Sequence, residues 1–556
     1  MSNKNKKQSN FSNSLTAIVN KYMIAIFVAT ILFVLFSIFY VGLSFDETKP
    51  SDSMLQTSEE SMDVAQFLTK TYDELKQEGL LKDFEIIDDT ISPEEINQAV
   101  SIEIKRVHKR NIEELMRKPG FSWKNKPLFY VKLLFDEVSW DSIDISDWDT
   151  GIAAWQINRF VKDEDETVDF TIQIIEKKSS VFTKKEFVIE EIDITYDFRT
   201  GVWTGDDSFN DTDGYGHYVG TDYEIWFGVY QTEQDGDNIP YWTEVNILKT
   251  NPTVDDSKLD SDTDGISTAW EWKWGYDPFV FENHTALDPD YDGLENTEEY
   301  ALSKWLANPF HQEIYLEVDF MQKGPGLFAM EHVFWKESQW MLMDIFTPHH
   351  ITVHIDDGWP TGSSIGGGEF LPYIEEYLGP LSGVLSGFYK YHFADCRKGS
   401  FRYVVIHHSG GWNYAQTNEL HADVISIPSN REFYRNVFFP PAVTPRLKRL
   451  AMAVSVVHEL GHSLGLNPEY CAGIDNASQV GRNNLPPLQK LQAKIESRQY
   501  WDTYHSVMNY HKFGLYVLDY SDGTHGKHDA DDWEQIDLTF FQKPFDYTYG
   551  AGDSLT

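Results

Sequence analysis

Two histidines four positions apart, with a glutamate between them, have the types and spacing of a metal-dependent catalytic centre. His458 and His462 belong to the sequence His-Glu-Leu-Gly-His, and positions i and i+4 of a helix lie on one face. Two imidazoles on one helix face are a known arrangement for binding zinc. Glu459 lies beside them, where it can accept a proton from a metal-bound water. The spacing therefore predicts a zinc centre with a general base.

Regular elements must hold these side chains in place. Apolar residues at near-helical spacing predict a helix over residues 445–466. Upstream, branched and aromatic residues predict strands, and an amphipathic segment predicts a helix between the first two of them. The strands are expected at 314–320, 351–355 and 401–407, with an edge strand at 423–428 and the intervening helix at 327–346.

Two further features lie around the histidine pair. Gly465 follows His462 by three residues, and the sequence Ser-Val-Met-Asn-Tyr, ending at Tyr510, begins 48 residues after His458. This combination resembles the metzincin clan of zinc peptidases, in which the Gly turns the chain and a Met-turn underlies the metal. The resemblance implies an α/β (α+β) peptidase domain over 311–556, with Glu459 as the general base and Tyr510 steadying the oxyanion.

The third zinc ligand departs from the pattern of that clan. Pro468 stands where the clan places a His or Asp, and proline has no side-chain donor. Asp475, which follows a flexible Gly473, is the favoured replacement, since zinc accepts carboxylate oxygen. The alternatives are Glu469, Cys471, His505 and His511.

Alternating acidic residues form two loops upstream of the zinc motif. Each matches D-x-D-x-D-G-x5-E, a spacing that supplies the hard oxygens, tight turn and closing bidentate Glu that calcium requires. The second loop begins 28 residues after the first. The predicted calcium ligands are Asp260, Asp262, Asp264 and Glu271 in the first loop, and Asp288, Asp290, Asp292 and Glu299 in the second.

A degenerate third copy precedes these loops. Glu233, Asp235, Asp237 and Glu244 keep the acidic spacing, but Asn238 replaces the Gly, and each copy ends in an Asn-Pro or Asp-Pro pair. The region 233–310 is therefore an internal repeat. It resembles thrombospondin type 3-like and dockerin-like calcium repeats, which implies a calcium-rigidified spacer between modules.

Charge and cysteine content limit the possible partners. The chain has 556 residues and a net charge of -42, and such a field repels phosphate backbones, so nucleic acid is not expected as a partner. Protein or peptide substrates remain compatible. Only two cysteines are present, Cys396 and Cys471, so the alternatives are one disulfide or two separate small core residues.

The N-terminal region predicts a membrane anchor. Residues 22–45 carry no charge and exceed the ~20 residues that a helix needs to cross a bilayer. Lysines precede this stretch and acids follow it, so the positive-inside rule predicts a cytoplasmic tail at 1–21, contact with the lipid bilayer, and an extracellular bulk.

The sequence thus predicts a multidomain chain. After the tail and the transmembrane helix come a stalk and helical region at 46–122, including a helix from Ser92 to Pro119. A β-sandwich at 123–232 and the repeats lead to the peptidase domain. The expected function is a membrane-anchored extracellular zinc metalloendopeptidase. The alternatives are an inactive surface adhesion module that keeps the fold, and a calcium-stiffened structural protein.

Overall fold

A computed structural model describes residues 99–542 with gaps, the longest being 359–366, 376–382, 430–444 and 477–485. The described residues all fall within one compact unit of the chain, 58–556.

The predicted membrane anchor requires correction. Among the helices in the described part of the chain, none is both long and apolar enough to cross a bilayer. The longest of these helices, Pro445–Ser463, is continuous, but charged and polar residues, including those of the His-Glu-Leu-Gly-His sequence, interrupt its apolar stretches. Residues 22–45, where the spanning helix was predicted, lie outside the described residues. The fold class with a single transmembrane helix and the single-pass membrane localisation therefore have no support among the described helices and are corrected: the described architecture consists of mixed sheets and helices.

The described strands between residues 99 and 231 form two antiparallel sheets. The strands are β1 (Ala99–Lys109), β2 (Leu128–Phe135), β3 (Val138–Asp141), β4 (Ile145–Ser146), β5 (Asp149–Thr150), β6 (Gln156–Phe160), β7 (Thr167–Ser179), β8 (Lys184–Asp197), β9 (Trp203–Gly205), β10 (Gly216–Val219) and β11 (Tyr223–Gln231). The strand orders of the two sheets are β10-β11-β1-β5, with β6 also paired to β1, and β3-β2-β7-β8-β9, with β4 also paired to β2. Alternate apolar residues of both sheets point into one shared core, as the period-two pattern of strands requires.

The helix predicted from Ser92 to Pro119 is wrong over most of its length. β1 occupies Ala99–Lys109, and only the short helix α1, Ile112–Arg117, follows it. Val100, Ile102 and Ile104 alternate with polar residues and are fully buried. Pairing of β1 with β11 and β6 buries this face, so tertiary contacts outweigh the capping signal.

The repeat region consists of loops that each lead into a short helix. The helices are α2 (Tyr241–Thr243, continued by a wider turn over Glu244–Leu248), α3 (Thr268–Lys273) and α4 (Asn296–Leu302). Ser267 caps α3 by accepting a hydrogen bond from the Trp270 N–H. Apolar residues of the loops and helices form small local cores.

A mixed sheet with order β13-β12-β15-β17-β16 dominates the last part of the chain, with β14 also paired to β12. The inner strands are parallel and β16 is antiparallel. The elements are β12 (Glu313–Met321), α5 (Lys336–Phe346), β13 (Thr352–Asp356), β14 (Phe370–Leu371), α6 (Gly383–Tyr391), β15 (Phe401–His407), β16 (Asn413–Thr417), β17 (Leu420–Pro428), α7 (Pro445–Ser463) and α8 (Pro487–Tyr500).

The predicted strands and helices of this part are found, with two differences. The edge strand is β16 rather than residues 423–428, because β17 pairs on both sides. Helix α5 begins at Lys336, well after residue 327. The apolar residues of α5 and α7 pack with those of β12 and β15 in one large core. That core fixes α7, which carries the zinc motif, against the sheet.

Candidate metal centres

Helix α7 places His458 and His462 one turn apart in a buried position. Both side chains are almost inaccessible to solvent, at 0% and 3% exposure, and their ring centroids lie 4.9 Å apart. The helix ends at Ser463, and Gly465 has a left-handed φ of 90°, which allows the chain to turn sharply there. The helix therefore ends before residue 466, where it was predicted to end, and the chain turns at Gly465, as the resemblance implies.

Backbone carbonyls orient both imidazoles. His458 Nδ1 lies 3.0 Å from the Val507 carbonyl oxygen, and His462 Nδ1 lies 2.7 Å from that of Leu466. When a carbonyl accepts the Nδ1 proton, the lone pair is left on Nε2, the atom that a metal would contact. Nothing in the sequence distinguished Val507 or Leu466 as these supports, because any residue supplies a carbonyl.

Asp475 brings a carboxylate to the same point. Its Oδ1 lies 3.3 Å from His458 Nε2, and its Oδ2 lies 3.7 Å from His462 Nε2. Tetrahedral zinc with bonds of ~2.0–2.1 Å has ligands roughly 3.3–3.4 Å apart, so these spacings are compatible with one ion. Asp475 has a left-handed φ of 53°, and its N–H donates to the Met508 carbonyl. The loop thus turns the favoured third ligand back toward the helix.

The other predicted ligand candidates lie elsewhere or outside the described residues. The His511 Nε2 contacts the Ser497 hydroxyl at 3.0 Å, and the His505 ring stacks on His525. Cys471 is buried and Cys396 is exposed, and neither is in a disulfide. Glu469 is not among the described residues.

The predicted Met-turn packs beneath the histidine helix. A Cβ atom on Gly461 would meet the Met508 sulfur at 2.7 Å and the Tyr520 ring at 2.9 Å, so any larger residue would require these side chains to shift. Tyr510 stacks on the His458 ring with centroids 5.0 Å apart, and its hydroxyl bonds to Asp475. Tyr510 therefore contacts two of the candidate ligands.

Electrostatics tie the three candidate ligands together. Burial alone would lower the pKa of His458, but the hydrogen bond and charge of Asp475 raise it to about 9. Burial lowers the pKa of His462 to about 4. For Asp475, the two imidazoles overcome the effect of burial and lower its pKa. Glu459 is 3% exposed and its charge reaches His458. The centre is thus a buried cluster with two carboxylates beside two imidazoles.

The three acidic repeats share one backbone turn among their described residues. The fourth loop position is left-handed in every copy, at Gly236, Thr263 and Tyr291, with φ of 81°, 67° and 62°. The sixth position is also left-handed at Gly265 and Gly293. The degenerate copy therefore keeps the fourth-position turn of the full copies, and a Gly stands at that turn.

A second shared feature links each loop to the segment that follows its helix. The Asp at the fifth loop position accepts a hydrogen bond from the backbone N–H of an acidic residue further along the chain. The three pairs are Asp237 with Asp256 (3.1 Å), Asp264 with Glu282 (3.3 Å) and Asp292 with Glu313 (2.9 Å). This contact was not expected from the sequence, although an acid recurs in each copy.

The closing glutamates of the two full repeats are buried. Glu271 and Glu299 are both 0% exposed, and none of their carboxylate oxygens has a hydrogen-bond partner among the described residues. Burial and the neighbouring Asp charges raise the pKa of Glu271 to about 9 and that of Glu299 well above its usual range. Such crowding of acids fits a site whose charge is balanced by a bound cation.

The second repeat is hydrogen-bonded to the first strand of the mixed sheet. Glu313 begins β12, and its N–H donates to Asp292, while the Gln312 amide donates to the Asp290 carbonyl at 2.8 Å. The Glu313 carboxylate also lies within hydrogen-bond distance of His354 Nε2 on β13. The predicted ligands of the second loop are therefore attached directly to the sheet that supports α7.

No family model matches the chain, and no curated protein matches it.

Proposed function

We propose that the chain is a zinc metallopeptidase whose metal is held by His458, His462 and Asp475. The observation that carries the proposal is the convergence of these three side chains, whose ligand atoms lie within 4.8 Å of one another. The support of both rings by carbonyls at Nδ1 agrees with this role, because metal-bound histidines commonly donate their second N–H to such a partner.

Zinc bound there would lower the pKa of a coordinated water and polarise a carbonyl group. Glu459 follows His458 directly on α7 and would accept a proton during attack on a peptide bond and later pass it to the leaving amine. The Tyr510 hydroxyl, which hydrogen-bonds to Asp475 in the structure, would turn away from that carboxylate and donate to the developing oxyanion, while stacking on His458 keeps the ring in place.

The substrate class we propose is an extended polypeptide. β16 lies at the end of the mixed sheet and pairs on one side only with β17 among the described strands. An extended peptide can add to such an edge through main-chain hydrogen bonds. An unstructured protein is therefore the appropriate first substrate.

The test is Glu459→Gln in the full chain. Gln is nearly isosteric and is not one of the three proposed ligands, so zinc content should stay at the parent level. Loss of the proton acceptor should lower hydrolysis of an unstructured protein by roughly 10² to 10⁴. Glu534→Gln, at an exposed glutamate, is the matched control and should retain full activity.

Equal activity in Glu459→Gln and the parent would contradict the proposal. The inactive adhesion module that keeps the fold would then be the better interpretation.

We further infer that calcium occupies the second repeat. Its predicted ligands are all oxygen donors, the kind that calcium prefers. Calorimetric titration of the chelator-treated chain with calcium tests this, and an absence of uptake would contradict it.

A further inference from the structure

The first acidic repeat differs from the second by an imidazole. His284 Nε2 lies 3.2 Å from Asp264 Oδ2, 3.7 Å from Glu271 Oε1 and 3.9 Å from Glu282 Oε2. The His284 side chain is 0% exposed, so this nitrogen faces the carboxylates inside the protein rather than solvent. The ligand atoms of Asp264, Glu271 and His284 all lie within 4.8 Å of one another.

Buried polar atoms in this cluster have no hydrogen-bond partner in the described part of the chain. They are both carboxylate oxygens of Glu271 and His284 Nε2, whose 3.2 Å approach to Asp264 does not have the geometry of a hydrogen bond. Leaving such groups buried without a partner is unfavourable, and more so when they are charged. A bound cation would satisfy all three atoms at once.

The His284 ring is held at its other nitrogen and packs against an aromatic side chain. The Asn296 side-chain amide lies 2.9 Å from Nδ1. As placed, the Asn296 oxygen has no hydrogen-bond partner among the described residues. An amide turned end for end would accept the Nδ1 proton and leave the Nε2 lone pair for a metal. Tyr276 meets the ring edge to face, with centroids 4.9 Å apart.

The second repeat has no equivalent of this imidazole. The residue two positions after its acidic partner Glu313 is Tyr315, whereas His284 follows Glu282 by two. The Glu313 carboxylate accepts a hydrogen bond from the Tyr315 hydroxyl at 2.5 Å and lies 3.1 Å from His354. The predicted donors of the second loop are therefore oxygens alone.

We propose that the first repeat is a mixed nitrogen and oxygen site, formed by Asp264, Glu271 and His284, that takes a first-row transition cation in preference to calcium. Imidazole binds transition ions such as Mn²⁺ and Zn²⁺ well, whereas calcium selects oxygen ligands. The two full repeats, which share one sequence pattern, thus bind different metals. This assignment does not depend on peptidase activity.

The experiment uses Mn²⁺ as the probe on the full chain, with zinc already bound at the histidine pair and calcium in excess. Pulsed electron paramagnetic resonance detects a ¹⁴N coupling when an imidazole binds Mn²⁺. The parent and His458→Ala should both show this coupling, whereas His284→Gln should lack it. Loss of an outer-shell partner alone costs 10–100-fold in metal affinity, so His284→Gln should weaken Mn²⁺ binding on the order of 100-fold.

His354→Gln is the matched control, because His354 is also a buried histidine beside a glutamate, but lies near the second repeat. It should keep the ¹⁴N coupling. Retention of calcium uptake by the second repeat in His284→Gln would show that this variant folds. If His284→Gln does not fold, His284→Asn replaces it in the same measurements.

Two outcomes would overturn the proposal. In one, calcium displaces Mn²⁺ from the parent and from His284→Gln equally. In the other, the nitrogen coupling persists in His284→Gln and disappears in His458→Ala, which would place the Mn²⁺ at the helix α7 centre.

Discussion

The α7 centre and the second acidic repeat hold their candidate ligands by different means. At the α7 centre, carbonyl oxygens of Val507 and Leu466 orient two imidazoles, and a left-handed turn presents one carboxylate. In the second repeat, backbone N–H groups of Gly293 and Glu313 donate to carboxylates that crowd together. The first arrangement combines neutral and acidic ligands, whereas the second concentrates negative charge.

Because of this difference, the two sites depend on a bound cation to different degrees. The α7 ligands can be oriented by protein hydrogen bonds alone, because two of them are uncharged when deprotonated. The buried acids of the second repeat repel one another, and burial with neighbouring charge raises the pKa of Asp292 to about 7. A substitution at the α7 centre should therefore lower the rate of hydrolysis more than the stability of the fold. A substitution in the second repeat should lower the stability more than the rate.

The largest effect is expected from His458→Ala. It removes a ligand atom at the centre of the α7 cluster, so zinc content and hydrolysis of an unstructured protein should both fall below detection. Calcium uptake should stay at the parent level, because His458 is not among the acidic loops. Elemental analysis measures zinc, and a calcium titration measures calcium uptake. Loss of calcium along with zinc would show that the two sites do not hold their metals independently.

Asp475→Asn tests the third ligand. The amide keeps the size of the side chain but removes a charged ligand, so zinc affinity should fall by at least the roughly 10- to 100-fold that loss of an outer-shell partner costs. Competition with a chelator of known affinity measures this change. Unchanged zinc binding would instead favour Glu469, which is the next candidate after Asp475 for the third ligand.

Glu299→Gln tests the repeat side of the comparison. With calcium at about 100 times its Kd, the parent gains roughly 2.7 kcal/mol of stability from binding, and the variant should lose most of it. In chelator the order should reverse, because Gln removes an acid that must either bind a proton or carry a charge when it is buried beside Asp292. Thermal unfolding of both proteins in calcium and in chelator measures these changes in stability. Glu496→Gln, on an exposed face of α8, is the control and should unfold like the parent in both conditions.

Sequence reasoning succeeded where a pattern is local. The helix of the zinc motif, the strands around it and the loop spacing follow from short-range periodicity and from residue chemistry. Asp475 was favoured as a ligand because it follows Gly473, and it does lie beside both histidines.

It failed where distant contacts decide. β1 was predicted as part of a helix because Ser92, Pro93 and Glu95 form a capping signal, yet pairing with a strand more than 100 residues away determines its conformation. His284 could not be predicted as a ligand for a similar reason. Its role depends on Glu271 and Asp264 in a preceding loop, and no motif places a histidine at that spacing.

The smallest effect concerns acid stability outside both clusters. His332 is 3% exposed, and its Nδ1 lies 2.7 Å from the Ser429 hydroxyl. Burial and the nearby His408 lower its pKa to about 4. Between pH 6.5 and 4 the folded state therefore binds fewer protons than the unfolded state at this residue, and the free energy of unfolding falls as the pH falls through that window.

His332→Gln should remove this loss, which is roughly 1–3 kcal/mol by pH 4, while leaving stability at pH 7.5 close to that of the parent. The raised pKa values of the acidic loops act with the opposite sign, since carboxylates that stay protonated favour the folded state as the pH falls. Denaturant unfolding at pH 7.5 and 4.5 in saturating calcium suppresses that second contribution and isolates the histidine. His525→Gln, at an exposed histidine, is the control. If His332→Gln and His525→Gln lose equal stability on acidification, the acid sensitivity of the fold arises in the carboxylate clusters rather than at His332.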